Sequence, residues 1–403
     1  MLSLYHYLWI SFDSTMLTSK LPNVGTTIFT TMSKMAKQYN TVDLGQGYPS
    51  FDPDKGLIQA VNQAMLDGYN QYPEMAGVKA LRDVLAQKIN SLYGYQYHPD
   101  TEITITSGAT EAIMVAIQTV IRPGDEVIVI EPFYDMYVPC IELAGGSPVF
   151  VPLDPPSVTN HKYSLNWNKV ATAITPKTRL IILNFPHNPT GITLKSSDLD
   201  ALEEIVRNRN LYILADEVYE HIVFHHKFLS LSTRPNLAQR SFVVGSFGKT
   251  YNTTGWKIGF CAAPAELTKE FRKIHQFTVF TVPSPMQHGL ANFASNPETY
   301  LHLSDFYQKY HDYLFTELQD KTRFKPLRSE GTFFLLASYA DISDKKENDF
   351  VIELTQKHGV TAIPISAFYM QPDSVRANNR IVRFCFAKKF ELLEEAVTRL
   401  AKL

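Results

Sequence analysis

Short apolar runs rich in β-branched residues alternate with segments of helical periodicity from about residue 101 onward, and few folds accept that order. TEITIT is followed by a helical stretch through EAIMVAIQTVI, the turn Pro123-Gly124, the run EVIVI and a helix expected from about Tyr134. The pattern continues with SPVFVPL, RLIILNF, a helix through SDLDALEEIVRNR, LYILADE and SFVVGS. Each run is almost unbroken in its apolar character, which signals strands covered by helices on both faces. The expected fold class is therefore α/β, with a large domain built on a mostly parallel sheet flanked by helices. After about residue 264 long helical segments take over, AELTKEFRKIHQF and TYLHLSDFYQKYHDYLFTELQ. Shorter strands, TFFLLA and RIVRFCFA, and a closing helix ELLEEAVTRLAKL follow, which implies a smaller α+β domain. The boundaries expected are 51–290 for the large domain and 291–403 for the small one, with 19–50 as a segment joining the small domain and 1–18 as a disordered extension.

Composition removes several function classes. A chain of 403 residues that is 45% hydrophobic and 19% charged is ordinary for a globular enzyme, and it shows no internal repeat or low-complexity tract. A formal net charge of -2 lacks the basic excess that nucleic acid or an anionic membrane would call for, so small molecules are the expected partners. Cys140, Cys261 and Cys385 are far apart, odd in number and set in apolar segments, which suits buried thiols in a reducing, cytoplasmic setting. The opening MLSLYHYLWISFDSTM has no Lys or Arg before its apolar part and is cut short by Asp13, so it reads as neither a signal peptide nor a membrane span. Residues 1–15 are read as lying upstream of a natural start at Met16.

In sheets of this kind ligands bind where strands end and helices begin, because backbone N–H groups and helix dipoles converge there. After TEITIT stand Ser107, Gly108, Ala109 and Thr110, small residues that either cradle a phosphate or simply turn the chain. After EVIVI comes Tyr134, placed either to stack on a flat ring or to fill the core. After RLIILNF comes PHNPTG, whose prolines stiffen a turn around Asn188. After LYILA come Asp216 and Tyr219; a carboxylate at the end of an apolar strand is costly to bury unless a cation meets it, although a helix cap is the plainer use. After SFVVG come Ser246, Lys249 and Lys257: a hydroxyl, an amine able to attack a carbonyl, and a second cation. Gly-Lys-Thr at residues 248–250 suggests a nucleotide loop, but Val243 occupies the position of its first glycine and no amphipathic helix follows. His221 and His225 in EHIVFHH are spaced like metal ligands on a helix, yet no HExxH accompanies them and the intervening residues read as a strand, so no metal site is expected. Taken together, the strand ends supply a phosphate cradle, a ring stacker, an amide, a carboxylate for a ring nitrogen and a lysine for an aldehyde. That set matches pyridoxal 5'-phosphate (PLP).

The segments NFPHNPTG, ADEVYE, SFGKTYNTTGWKIGF and RFCFAK resemble the motifs of class I/II PLP-dependent aminotransferases of fold type I. SKLPNVGTTIFTTMSKMA, LGQGYPSF and IPISAFY look like those of bacterial methionine aminotransferases and the kynurenine aminotransferase/glutamine transaminase K group. The resemblance runs from about Ser19 to the C-terminus. It implies that Lys249 bonds the cofactor aldehyde, that Asp216 holds the pyridinium, and that Asn188 and Tyr219 bond the ring 3'-oxygen. Tyr134 would stack on the ring, while Gly108, Ala109, Thr110, Ser246 and Lys257 hold the phosphate, joined by Tyr72 from a second subunit. Arg383 would clamp the substrate carboxylate, with Gly47 and Asn188 nearby, and Tyr48 and Phe280 would line an apolar pocket or pack the core. Alone, Arg383 also reads as a surface charge on an edge strand.

Ser50 stands where relatives often carry Asp, and Thr281 follows Phe280 where animal kynurenine enzymes carry histidine, which favours methionine and aromatic amino acids over kynurenine as donors, with kynurenine and glutamine kept as further candidates. The expected activity is amino-group transfer to a 2-oxo acid by a ping-pong mechanism in a homodimer. A β-lyase acting on cysteine conjugates or cystathionine is the alternative within the same cofactor chemistry, and a PLP-fold regulator is the alternative outside catalysis.

Overall fold

A computed structural model of the chain describes residues 17–157 and 161–403. Nearly all of the expected N-terminal extension lies outside the described residues. Seven strands form the main sheet: β2 (Ile103–Thr106), β3 (Glu126–Glu131), β4 (Ser147–Pro152), β5 (Thr178–Asn184), β6 (Tyr212–Asp216), β7 (Ser241–Ser246) and β8 (Gly259–Ala262). Their order across the sheet is β2-β8-β7-β6-β5-β3-β4. Five neighbouring strands run parallel, and β8 runs against both of its neighbours. The mostly parallel sheet is thus present, with one strand that sequence pattern did not separate: GFCA is four residues long, begins with glycine and follows the lysine segment without a helical interval.

The unbroken apolar runs have a direct cause in this sheet. Along β3, Val127 and Val129 enter one buried cluster while Ile128 and Ile130 enter another on the opposite face. The same division separates Leu180 and Ile182 from Ile181 and Leu183 on β5. Helices Gly108–Val120 and Tyr137–Leu143 contribute to the second cluster, so both faces are dry. The helix expected from about Tyr134 begins at Tyr137, leaving Tyr134 in the turn that leads to it. The long segment after residue 298 is two helices, Glu298–Leu301 and Leu303–Lys321, interrupted at His302.

Two smaller sheets bring the ends of the chain together. β9 (Lys325–Pro326), β10 (Phe334–Ser338), β12 (Ile363–Pro364) and β13 (Ile381–Cys385) form an antiparallel sheet in the order β12-β13-β10-β9. Strand β1 (Val42–Asp43) pairs in parallel with β11 (Val360–Thr361), which ties the N-terminal segment to the C-terminal region. β13 is central and wholly buried, so Arg383 is not an edge-strand surface charge. The three cysteines are buried and unpaired. Among the described residues, no helix is long and apolar enough to cross a membrane.

Candidate active site

Asn184, Asp216 and Ser246 are the last residues of three adjacent parallel strands, with Asn184 in register with Asp216. They open on a cavity of about 420 Å³. Every residue that the resemblance assigns to coenzyme or substrate lines this cavity except Tyr72 and Phe280. Those two rings meet each other edge-on at 5.5 Å, and both are exposed, Tyr72 at 82%.

Asp216 is buried, and the Tyr137 hydroxyl donates to its Oδ2 at 2.6 Å, while Oδ1 has no hydrogen-bond partner. Burial pushes this carboxyl up to about 6, opposed by the Tyr137 hydroxyl, the Val218 amide and the charge of Lys249. Its backbone is fixed separately: Asn184 Nδ2 donates to the Asp216 carbonyl at 2.9 Å, and Asn184 Oδ1 accepts from the Asn188 amide at 2.9 Å. One strand-end amide therefore sets the position of both neighbours. Three X-Pro bonds near the rim, at Pro132, Pro186 and Pro189, are cis. Within the PHNPTG turn His187 is buried against Thr190 and held neutral, since burial pushes it down to about 3.

Lys249 sits on the single helical turn Phe247–Thr250 that follows β7, capped by Ser246. Its Nζ donates to the Gly47 carbonyl at 2.8 Å and stands 5.3 Å from the Phe333 ring centre. Burial lowers the amine to about 8, with Arg383 and Lys257 pushing the same way and Asp216 opposing. At neutral pH an appreciable fraction is therefore free base, as a nucleophilic or proton-moving lysine requires.

Arg383 is almost completely buried on β13. Its Nη1 donates to Asn188 Oδ1 at 2.7 Å and its Nη2 to the Gly45 carbonyl at 3.1 Å, while Nε has no partner. The guanidinium lies 3.8 Å from the Phe334 ring centre and 4.8 Å from that of Phe368. Among the described residues no carboxylate bonds this cation. A buried planar fork backed by aromatic faces is ready-made for an incoming carboxylate.

The opposite wall is a cradle of small residues. Gly108 starts the helix Gly108–Val120 at φ +66°, in the left-handed region, and a Cβ there would stand 3.5 Å from Lys257 Nζ. Lys257 Nζ donates to Thr110 Oγ1 at 2.9 Å. Gly259 lets β8 approach the helix start so closely that a Cβ would come within 2.7 Å of the Ala109 amide nitrogen. Helix N-terminus, hydroxyls and ammonium together suit an anion.

Several contributors escaped sequence reading. Tyr137 lies three residues beyond Tyr134, at the start of the helix, and the two rings meet edge-on at 5.7 Å. Lys388 is buried, and its Nζ donates to the carbonyls of Gln46 (3.3 Å) and Tyr48 (3.1 Å), gripping the segment that carries Gly47. His275 Nδ1 pairs with Glu111 Oε1 at 2.6 Å, and Glu111 Oε2 accepts from the Ser107 amide at 2.6 Å, bracing the cradle from behind. The terminal K of RFCFAK was a visible signal for Lys388; the His275–Glu111 pair spans 164 residues and had none. The histidines of EHIVFHH do not gather: His221 packs on Tyr300 and burial pushes it down to about 3, while Val223 makes only an isolated bridge to Gly331. Among the described residues no cluster of His, Cys, Asp and Glu could hold a metal ion.

A family model described as aminotransferase class I and II matches residues 39–400. The chain is 43% identical to the methionine aminotransferase of Escherichia coli K12 over 387 residues, covering 96% of this chain and 98% of that one. A crystal structure of Escherichia coli YbdL, reported to have a methionine aminotransferase function, superposes with a TM-score of 0.92 at 43% identity, covering 96% of this chain and 99% of that one. Kynurenine--oxoglutarate transaminase 1 of Homo sapiens is 31% identical over 92% of this chain and 94% of its own length.

Proposed function

The chain belongs to the class I and II aminotransferases, and we propose that it uses PLP to move the amino group of methionine or an aromatic amino acid to a 2-oxo acid in two half-reactions. The observation that carries this reading is a buried carboxylate oxygen, Asp216 Oδ1, left without a partner in the cavity that also holds Lys249 and Arg383. A pyridinium N–H satisfies that oxygen, a phosphate satisfies the Gly108–Thr110 and Lys257 cradle, and an aldehyde suits the depressed amine of Lys249. The residues present fit the group.

When bound, PLP supplies an aldehyde that takes up the amino group and a ring that accepts the electron pair left at the substrate Cα. Asp216 keeps a cationic ring nitrogen paired in a site that excludes water. Lys249 would move the proton from Cα, and the Gly47 carbonyl offers its ammonium form a resting place at 2.8 Å. Arg383 takes the α-carboxylate in a bidentate pair and so fixes the Cα–H bond relative to Lys249. Tyr134 would cover one ring face, and Asn188 and Tyr219 would hold the ring oxygen; all three line the cavity.

Among the described residues the cations lining the cavity are Lys249, Lys257 and Arg383. Once aldehyde, phosphate and α-carboxylate have claimed them, this lining offers none to a second carboxylate, and Asp135, which also lines the cavity, repels one. Phe29, Tyr48 and Phe334 supply apolar surface instead. This supports methionine and aromatic donors, and the kinship with a methionine aminotransferase points the same way. Nothing in the cavity favours the β-lyase alternative.

The exposed Tyr72–Phe280 pair supports a homodimer in which each copy lends Tyr72 to its partner's site. The Val42↔Val360 pairing supports residues 19–50 and 291–403 acting as one small unit against 51–290. A cytoplasmic setting accords with the three free thiols. A spectral screen tests the central reading: PLP-saturated protein is mixed with each amino acid without a 2-oxo acid. Methionine and phenylalanine should change the coenzyme absorbance within seconds and aspartate should not. A protein whose spectrum responds to no amino acid overturns the proposal.

A further inference from the structure

Resting on that reading of the site, we propose that Tyr137 is a positioning residue for the coenzyme: it fixes the Asp216 carboxylate so that Oδ1 alone faces the ring nitrogen, and with the same ring it props Tyr134.

A carboxylate at a strand end can rotate, and a rotated Asp216 would offer the wrong oxygen or the wrong lone pair. Its backbone is held by Asn184, but that bond does not reach the carboxylate. Tyr137 is the side chain that does, donating to Oδ2 at 2.6 Å from the first residue of its helix. The donor is neutral. An arginine or lysine in its place would neutralise Asp216 and leave little charge for a pyridinium; a hydroxyl satisfies one oxygen and leaves the negative charge available. Burial raises the Tyr137 phenol well above its ordinary range, and the adjacent Asp216 charge adds to this, so it donates its proton without losing it. The unpartnered Oδ1 is the complement of this bond: one oxygen is spent on orientation and the other is kept for the ligand. The edge-on contact of the two rings, 5.7 Å apart with planes at 87°, lets the same residue support the ring expected to lie against the coenzyme.

The test separates orientation from packing by comparing two coenzymes: PLP, and its isostere with carbon in place of the ring nitrogen. The full-length chain, stripped of coenzyme, is titrated with each by tryptophan fluorescence, and the ratio of the two dissociation constants is the readout. Tyr137→Phe removes one oxygen atom and keeps the ring contact. It should weaken PLP about tenfold and leave the isostere within about twofold, because the lost bond acts only through Asp216 and the ring nitrogen. In an Asp216→Asn background, Tyr137→Phe should change neither constant. Should the Phe variant not fold, Tyr137→Leu, which also lacks the donor, carries the same comparison: loss of the ring weakens both coenzymes, and the ratio still reports the lost bond. A ratio equal to that of the parent chain, whether both coenzymes weaken together or neither does, overturns the proposal and leaves the PLP reading standing. Failure of the parent chain to bind PLP overturns both.

Discussion

The amine of Lys249 donates to the carbonyl of Gly47 at 2.8 Å across 202 residues of sequence, joining the end of β7 to a segment that lies against β13. Lys388 grips the carbonyls on either side of Gly47, so three consecutive carbonyls are held by two buried lysines. The segment that carries Gly47 is therefore fastened by charge to the lysine proposed to do the chemistry.

Replacing that lysine should trade activity for stability. The folded-state amine titrates at about 8 against 10.5 in the unfolded chain, so burying its charged form costs free energy at neutral pH. Lys249→Met in the coenzyme-free chain should melt a few degrees higher than the parent at pH 7. The advantage should shrink as pH rises from 8 toward 10.5, where the parent chain folds with a neutral amine. Transamination should fall by about 10,000-fold or more. Calorimetry across pH and a coupled assay check both halves.

Arg383 has an unpartnered Nε and two N–H groups bonded to neutral oxygens. Arg383→Lys keeps the charge but loses the planar fork. The expected result is a fall in kcat/KM for methionine of about 100-fold, carried mainly by KM. Steady-state kinetics with methionine as the varied donor measures it.

Lys257 should matter to coenzymes only through their phosphate. Lys257→Gln should weaken PLP by about 10- to 100-fold and leave pyridoxal, which lacks the phosphate, unchanged. Equilibrium dialysis of both compounds against the stripped protein distinguishes a phosphate contact from a general loosening of the cradle.

Glu217, next to Asp216 but on the far side of β6, accepts from the Leu231 amide at 2.8 Å. Burial pushes its carboxyl up to about 8 from an ordinary 4.5. The folded chain thus holds a proton that the unfolded chain has lost. Stability from this group is complete below pH 4.5, declines as pH rises, and is gone above 8. Glu217→Gln carries no such slope, so between pH 5 and 8 the parent's melting temperature should fall relative to the variant. The neighbouring Glu220, lowered to about 2 chiefly by Lys88 against its burial, does not titrate in that window.

Local pattern revealed the residues that chemistry places at strand ends. Asn188, Asp216, Ser246 and Lys249 each follow an apolar run, and the runs themselves set the sheet, because burial on both faces writes itself into consecutive residues. Arg383 was ambiguous for the opposite reason: whether β13 lies at an edge depends on its partners β10 and β12, which are remote in sequence. Tyr137 and the His275–Glu111 pair were invisible because their meaning is a contact, and contacts across 79 and 164 residues leave no local trace. β8 was missed since a four-residue strand opening with glycine has no periodicity to detect.

The reversed direction of β8 has a consequence for how this rim tolerates change. Five strands deliver residues to the rim as they leave the sheet, but Lys257 arrives just ahead of a strand entering it. Gly259 is in register with both Thr106 and Ser246, so the ladder acts as the ruler that measures out where the ammonium stands. Residues 251–256, between the two lysines, are packed as well, with Tyr251 and Thr253 buried and the Thr253 amide donating to the Gly248 carbonyl, so an insertion or deletion there would disturb the turn that carries Lys249 as well as the ladder that sets Lys257.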